Sequence, residues 1–272
     1  MLRPRLLLVV ALPTTLAACT FRMPLAERPR PVVNVMPPVT LLPPPKPPRI
    51  YSLAHLDTLA VHRTHVLAIY PAARSAYDAL PSPEWMRTGN TEEGEGSELD
   101  IDPQKEERQR LRNAGPTVKR AGRTLWLHPT AHPPLRLMDN PAEDYDTNIA
   151  YEYIASLPKI GQWLLSVHLY EGGYYVLIDQ RTGRRTPIWG PPAISPNGRH
   201  FVCGNSDVLA HYEPNGLQVW SAEGTPRLLW ERETEWGVQE PRWLDNHSIL
   251  FQQDFFDKDD VDTRVVRMKV IP

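Results

Sequence analysis

The chain has 272 residues, enough for one domain with appendages on a prior of about 100–200 residues per domain. Its 30 prolines, about twice average usage, exclude a mainly helical fold, because an interior proline removes a backbone donor and clashes with the preceding turn. A formal net charge of −2, from 30 basic and 32 acidic residues, gives none of the dense basic field of a nucleic-acid binder. Two cysteines, Cys19 and Cys203, are too few for a disulfide-stapled scaffold or a cysteine-rich zinc site.

Residues 1–18 have the shape of a secretory signal: Arg3 and Arg5, an apolar run from Leu6 to Leu12, then small residues Ala17 and Ala18. The run is too short to span a bilayer, which takes about 20 apolar residues. Leu16-Ala17-Ala18-Cys19 resembles the lipobox of bacterial lipoproteins. The resemblance implies cleavage behind Ala18 and diacylation of Cys19, with two or more acyl chains giving stable membrane anchoring. Losing Arg3 and Arg5 leaves 28 basic against 32 acidic residues, so nothing beyond the anchor favours anionic lipid. Thr20 after the cysteine, in place of aspartate, resembles an outer-membrane sorting signal, and the expected location is the outer membrane, facing the periplasm. Cys203, between Val202 and Gly204, reads as a buried inert thiol in a strand.

Residues 19–49 are the lipidated cysteine and a tether. Ten prolines between Pro24 and Pro48 favour polyproline II without a packed fold, a spacer reaching about 90 Å if fully extended. Residues 50–115 mix signals. Stretches 51–61 and 65–70 read as strands, and Pro71 to Leu80 as a short helix opened by its proline and ended by Pro81. The acidic, glycine-containing stretch 84–102 reads as a disordered loop. Asp102-Pro103 then caps a polar helix running to about Asn113, whose nearly lone apolar residue, Leu111, predicts a solvated helix with little core contribution.

From 116 to 272 short apolar runs alternate with turn signals, the pattern of an all-β, mainly antiparallel domain. The predicted strands are 124–127, 134–137, 151–155, 162–168, 174–179, 184–189, 193–194, 199–203, 217–220, 227–230, 241–243, 248–251 and 263–270. Ile194 lies 40 residues after Ile154, and Trp243 lies 49 after Ile194, close to the period of a propeller blade. The stretch Ile194-Ser195-Pro196-Asn197-Gly198-Arg199-His200-Phe201 resembles the blade-opening motif of TolB-type and WD-type β-propellers, with asparagine where aspartate is usual. The wider stretch 151–251 is similar to a group of uncharacterised bacterial envelope proteins. They share a Tyr-Glu-Gly-Gly turn (170–173), a Trp-Gly (189–190) and a Pro-Asn-Gly (214–216), and the likeness implies no known activity. The resemblance implies a propeller-like stack of about four small sheets, with a β-sandwich as the alternative. The last repeat is one strand short, and segment 51–70 is the one available to supply that strand and close the ring.

Chemistry is sparse. Pro129, Pro133 and Pro134 forbid the helix that would align His128 with His132 on a metal, and the acidic run Asp254 to Asp262 lacks the EF-hand glycine and glutamate. Ser156-Leu157-Pro158-Lys159 matches Ser-x-x-Lys only on paper, since Pro158 opposes the helix that motif requires. No metal, cofactor or catalytic set is therefore expected. Of the eight tryptophans, Trp163, Trp189, Trp220 and Trp230 sit in strands and read as core, whereas Trp85 and Trp236 sit in loop context and read as exposed. The reading is an anchored lipoprotein presenting a β-repeat domain to a protein or glycan partner in the envelope, with Tyr174, Trp236 and Asp207 as binding residues. The alternatives are a hydrolase or lyase of envelope polymers using Glu171 or Asp207 as acid and base, and a purely structural lipoprotein.

Overall fold

The computed structural model describes residues 57–61, 65–87, 103–257 and 260–271. The signal segment, Cys19, the tether and residues 88–102 of the acidic stretch lie outside them. No helix among the described residues is long and apolar enough to cross a membrane.

Strands β1 (Asp57–Val61) and β2 (His65–Pro71) form an antiparallel hairpin. Pro71 closes β2 instead of opening a helix, and α1 (Arg74–Asp78) starts three residues later. Residues expected to begin the acidic loop form a single turn, α2 (Glu84–Arg87), where Trp85 packs against a core formed by two of the sheets below. Helix α3 (Pro103–Ala114) follows the sequence reading closely, but not its expected solvation. Leu111 and Ala114 pack on a hydrophobic core and Glu107 is buried.

The remaining strands form four small antiparallel sheets. Sheet I holds β3 (Val118–Ala121), β4 (Thr124–Leu127) and β5 (Leu135–Met138). Sheet II holds β6 (Ile149–Leu157), β7 (Gln162–Leu169), β8 (Gly173–Asp179) and β9 (Arg185–Ile188). Sheet III holds β10 (Pro192–Ile194), β11 (His200–Asn205), β12 (Gly216–Ser221) and β13 (Arg227–Glu233). Sheet IV takes β14 (Gly237–Trp243), β15 (Ser248–Asp257) and β16 (Asp260–Lys269), then adds β2 and β1 beside β16. The strand missing from the last repeat thus comes from the 51–70 segment, through the pairing of Met268 with Ile69. Only β3 has no counterpart in the sequence reading.

The sheets pack in chain order through three cores. Val118, Leu125, Leu127 and Leu137 of sheet I meet Trp163, Leu165, Val176 and Ile178 of sheet II. The opposite face of sheet II, with Leu157, Leu164, Leu177 and Ile188, meets Phe201, Cys203 and Trp220 of sheet III. The other face of sheet III, with Val202, Leu217, Val219 and Trp230, meets Ile249, Phe251, Val266 and Met268 of sheet IV. Successive strand residues point to opposite faces, so a strand in a sheet packed between two others is buried on both. Strands β7 and β12 obey this, with 162–167 and 216–221 buried without interruption.

The far face of sheet IV is covered by α1, whose Tyr77 packs on Leu250 and Val265. A bulge in β14 helps: the register shifts between Gln239 and Arg242, Glu240 takes φ 41°, and Arg242 lies 4.1 Å from the Tyr77 ring centroid. Among the described residues no hydrophobic cluster joins sheet I to sheet IV. The β2 strand completes the last sheet, and the helical segment after it covers the face on which a further sheet would pack.

Candidate functional site

A cleft of about 560 Å³, most of whose lining residues are charged, opens between α3, sheet I and the start of sheet II. Its floor is Arg120 on β3. The guanidinium Nη2 donates to Glu107 Oε1 at 2.9 Å and Nη1 to Asp139 Oδ2 at 2.8 Å, while Nε lies 2.7 Å from Glu107 Oε2. Arg120 also donates to the Tyr151 carbonyl. Both carboxylates accept from the backbone of β6, Glu107 from Tyr153 N–H and Asp139 from Tyr151 N–H, each at 2.9 Å. Burial disfavours the Arg120 charge, but Glu107 and Asp139 more than compensate and push its pKa up. Arg120 thereby ties one helix and two sheets together, which explains how so polar a helix as α3 stays docked.

At the outer lip, Glu152 pairs with Arg110 of α3 and sits 3.0 Å from His168 Nε2 on β7. The hydrogen bond to Glu152 raises the His168 pKa; burial opposes it and the Glu152 charge reinforces it. Glu107, Asp139 and Glu152 are thus each engaged by a guanidinium, an arrangement that holds structure. Glycoside hydrolysis needs a different one, a proton-donating carboxyl facing a second carboxylate across the substrate.

The sequence-selected residues do not make one exposed site, although Gly173, next to Tyr174, is bonded to Glu213 of the Asp207 loop. Tyr174 is partly buried at the edge of the core between sheets I and II. Trp236 is a correction: although it sits in a loop, it is only 7% exposed, inside the core between sheets III and IV, stacked on Phe251 at 5.9 Å. Loop position predicted exposure, but the indole fills the gap between two sheets. Trp85 is likewise partly buried. Cys203 is fully buried, and burial raises its thiol pKa well above the ordinary value. Asp254, first of the acidic run, lies inside the protein, accepting from Ser206 Oγ and Thr263 Oγ1 at 2.6 Å each.

Asp207 organises the loop from 206 to 215. Its carboxylate accepts from the N–H groups of Ala210 (3.2 Å), Tyr212 (2.6 Å) and Glu213 (2.9 Å). Burial raises the Asp207 pKa, but the backbone donors outweigh it and hold it below the usual carboxylate value. Asn215, itself buried, accepts from the Asp207 backbone N–H through Oδ1 and donates from Nδ2 to the Asp207 carbonyl. An aspartate so committed shapes a loop and has no visible part as an acid or base. Glu171 is exposed in the neighbouring β7–β8 turn.

What the loop presents is Leu209 and Tyr212, both exposed. Beside it, the β7–β8 turn exposes Tyr170, whose ring lies 5.8 Å from that of Tyr145 in the β5–β6 loop. Glu213 Oε1 accepts from Gly173 N–H at 2.7 Å, joining loop and turn. Sequence reasoning took the 204–216 loop, which holds Tyr212, as a binding candidate and marked the 170–173 turn as a motif, but it passed over Tyr145 and did not select Tyr170 or Tyr212 individually, because each lies outside the strand alternation. The available signal was their common setting, a tyrosine followed directly by an acidic residue outside the strands (Tyr145-Asp146, Tyr170-Glu171, Tyr212-Glu213), where no core is there to bury it. No protein-family model, curated protein or solved structure gives a significant match to the chain.

Proposed function

We propose that the protein is a lipid-anchored envelope lipoprotein whose β-sheet stack presents a binding surface to a partner in the cell envelope. The observation that carries this reading is the set of exposed tyrosines on three adjoining loops, two of them cross-braced by side-chain hydrogen bonds. A braced loop lowers the ordering cost of binding, and exposed tyrosines supply contact area at low entropy cost. The lipobox at Leu16–Cys19 supports the anchor, Thr20 supports the outer membrane facing the periplasm, and the proline-rich tether supports a spacer between anchor and domain. The stack is read as propeller-like. In its support, sheets II and III each use four consecutive strands, and an N-terminal strand completes the last sheet beside the C-terminal one.

The test is capture from crosslinked cells with the full chain, C-terminally tagged, beside Cys19→Ser, which removes the acyl acceptor. Recovery of one envelope component in near-stoichiometric amount, lost in Cys19→Ser, is expected. A folded, membrane-bound protein that recovers nothing above background would overturn the reading.

A further inference from the structure

The exposed aromatic surface also indicates what it binds. Tyr145, Tyr170 and Tyr212 are 59%, 54% and 59% exposed, far more than large side chains packed in a core. The Tyr145 and Tyr170 rings meet at 53°, so they form a notch and not a flat platform. Gly172 makes the surface continuous. Its φ is +72°, and a Cβ there would come 2.8 Å from Glu213 Oε1 and 3.3 Å from Tyr212 Cβ. The positive φ favours glycine, and a side chain there would push against Glu213 and Tyr212 of the 206–215 loop.

The fixed charge on the three segments that carry these rings has one sign. Segments 142–147, 169–173 and 206–213 contain Glu143, Asp144, Asp146, Glu171, Asp207 and Glu213, and no lysine or arginine. Asp207 and Glu213 face backbone donors, but Glu143, Asp146 and Glu171 are exposed residues beside Tyr145 and Tyr170 in the chain. A neutral sugar can stack on a tyrosine and donate hydroxyl hydrogen bonds to carboxylates, but it leaves their charge unbalanced. A guanidinium gains from both, through the π-face of a tyrosine and through carboxylates at its edge.

We infer that the Tyr145–Tyr170–Tyr212 surface docks an arginine-bearing segment of a protein partner, with guanidinium groups seated on the tyrosine rings and held by the surrounding carboxylates. This rests on the proposed binding function and names the partner's chemistry. An extended segment suits the site, because the three rings are spread over successive loops and do not share one pocket.

The test uses the full chain and a fluorescein-labelled (Gly-Arg)5 peptide, with the same peptide carrying citrulline for arginine as an isosteric neutral control. Binding is followed by anisotropy, with chitohexaose as the glycan arm. The arginine peptide is expected to bind at least about tenfold tighter than the citrulline peptide, and to weaken as salt rises from about 0.05 to 0.3 M. Tyr145→Ser with Tyr170→Ser, and separately Glu143→Gln with Asp146→Asn and Glu171→Gln, should each weaken it by about tenfold at unchanged thermal stability. All five positions are exposed, so these variants should fold. Equal binding of both peptides, no binding of either, or variants that bind like the parent would overturn the inference. So would chitohexaose binding that needs the tyrosines while arginine binding does not. Failure here alongside successful capture from cells would leave the anchored binding function standing and move the site elsewhere.

Discussion

Replacing Arg120 by methionine tests whether ion pairs, and not apolar contact, hold α3 against the sheets. The side chains of Arg120 and Glu107 are only 18% and 11% exposed. Without the guanidinium, Glu107 keeps the Tyr153 N–H and Asp139 keeps the Tyr151 N–H. Neither keeps a countercharge on β3. Stranding one partner of a buried pair costs about 3–5 kcal/mol, and the residual exposure puts this case near 3 kcal/mol. At about 2–4 °C per kcal/mol for a domain of this size, the melting temperature should fall by about 6–12 °C. Urea denaturation of the full chain gives the free energy, and amide exchange along 103–114 shows whether the loss is local to α3. A second substitution, Glu107→Met, removes one of the two stranded charges and should recover part of the loss despite taking the side-chain acceptor from Tyr153 N–H, since an apolar pair can replace a buried ionic one at little cost. A loss below about 1 kcal/mol, or two substitutions that simply add, would show that Leu111 and Ala114 dock the helix and that the ionic cluster is incidental.

Three further outcomes follow from the same geometry. Trp236→Ala should destabilise the protein by about 3–5 kcal/mol in calorimetry, as expected for a large aromatic removed from a core; a stable variant with lost partner capture would restore the binding role. Gly190→Ala should prevent normal folding or lower stability severely, because its Cβ would fall 2.0 Å from the Gly204 carbonyl oxygen, a backbone atom that cannot swing aside; a melting curve like the parent's would contradict this packing. Asp207 has a lowered folded-state pKa, so its contribution is full above the unfolded value near pH ~3.9 and is lost as pH falls through the folded one. Asp207→Asn should therefore lose stability at neutral pH, with the gap to the parent narrowing in acid. A pH-independent gap would assign the effect to the lost shape of the loop and not to its charge.

Much of the chain was legible because its cues are local. Strands 162–169 and 173–179 stand out as apolar runs, and Ser195-Pro196-Asn197-Gly198 makes the turn it encodes, with Gly198 at φ +72° and Ser195 Oγ donating to Asn197 Oδ1 at 2.8 Å. Strand β3 was missed because Val118-Lys119-Arg120-Ala121 has one large apolar residue and its long basic side chains look solvated. Its true signal, Arg120 seated between Glu107 and Asp139, depends on residues 13 and 19 positions away on other elements.

Sequence by itself determined the alternation, the turns, the β class and the shortage of one strand in the last repeat. Those follow from backbone sterics and from the two-residue period of a strand, which act between near neighbours. Tertiary structure decided that β2 fills the place beside β16, that α1 covers the far face of sheet IV, and that Trp236 is core. It also decided that Tyr145, Tyr170 and Tyr212 share one surface. Each of these depends on which face meets which across the stack, a choice made by packing between distant segments.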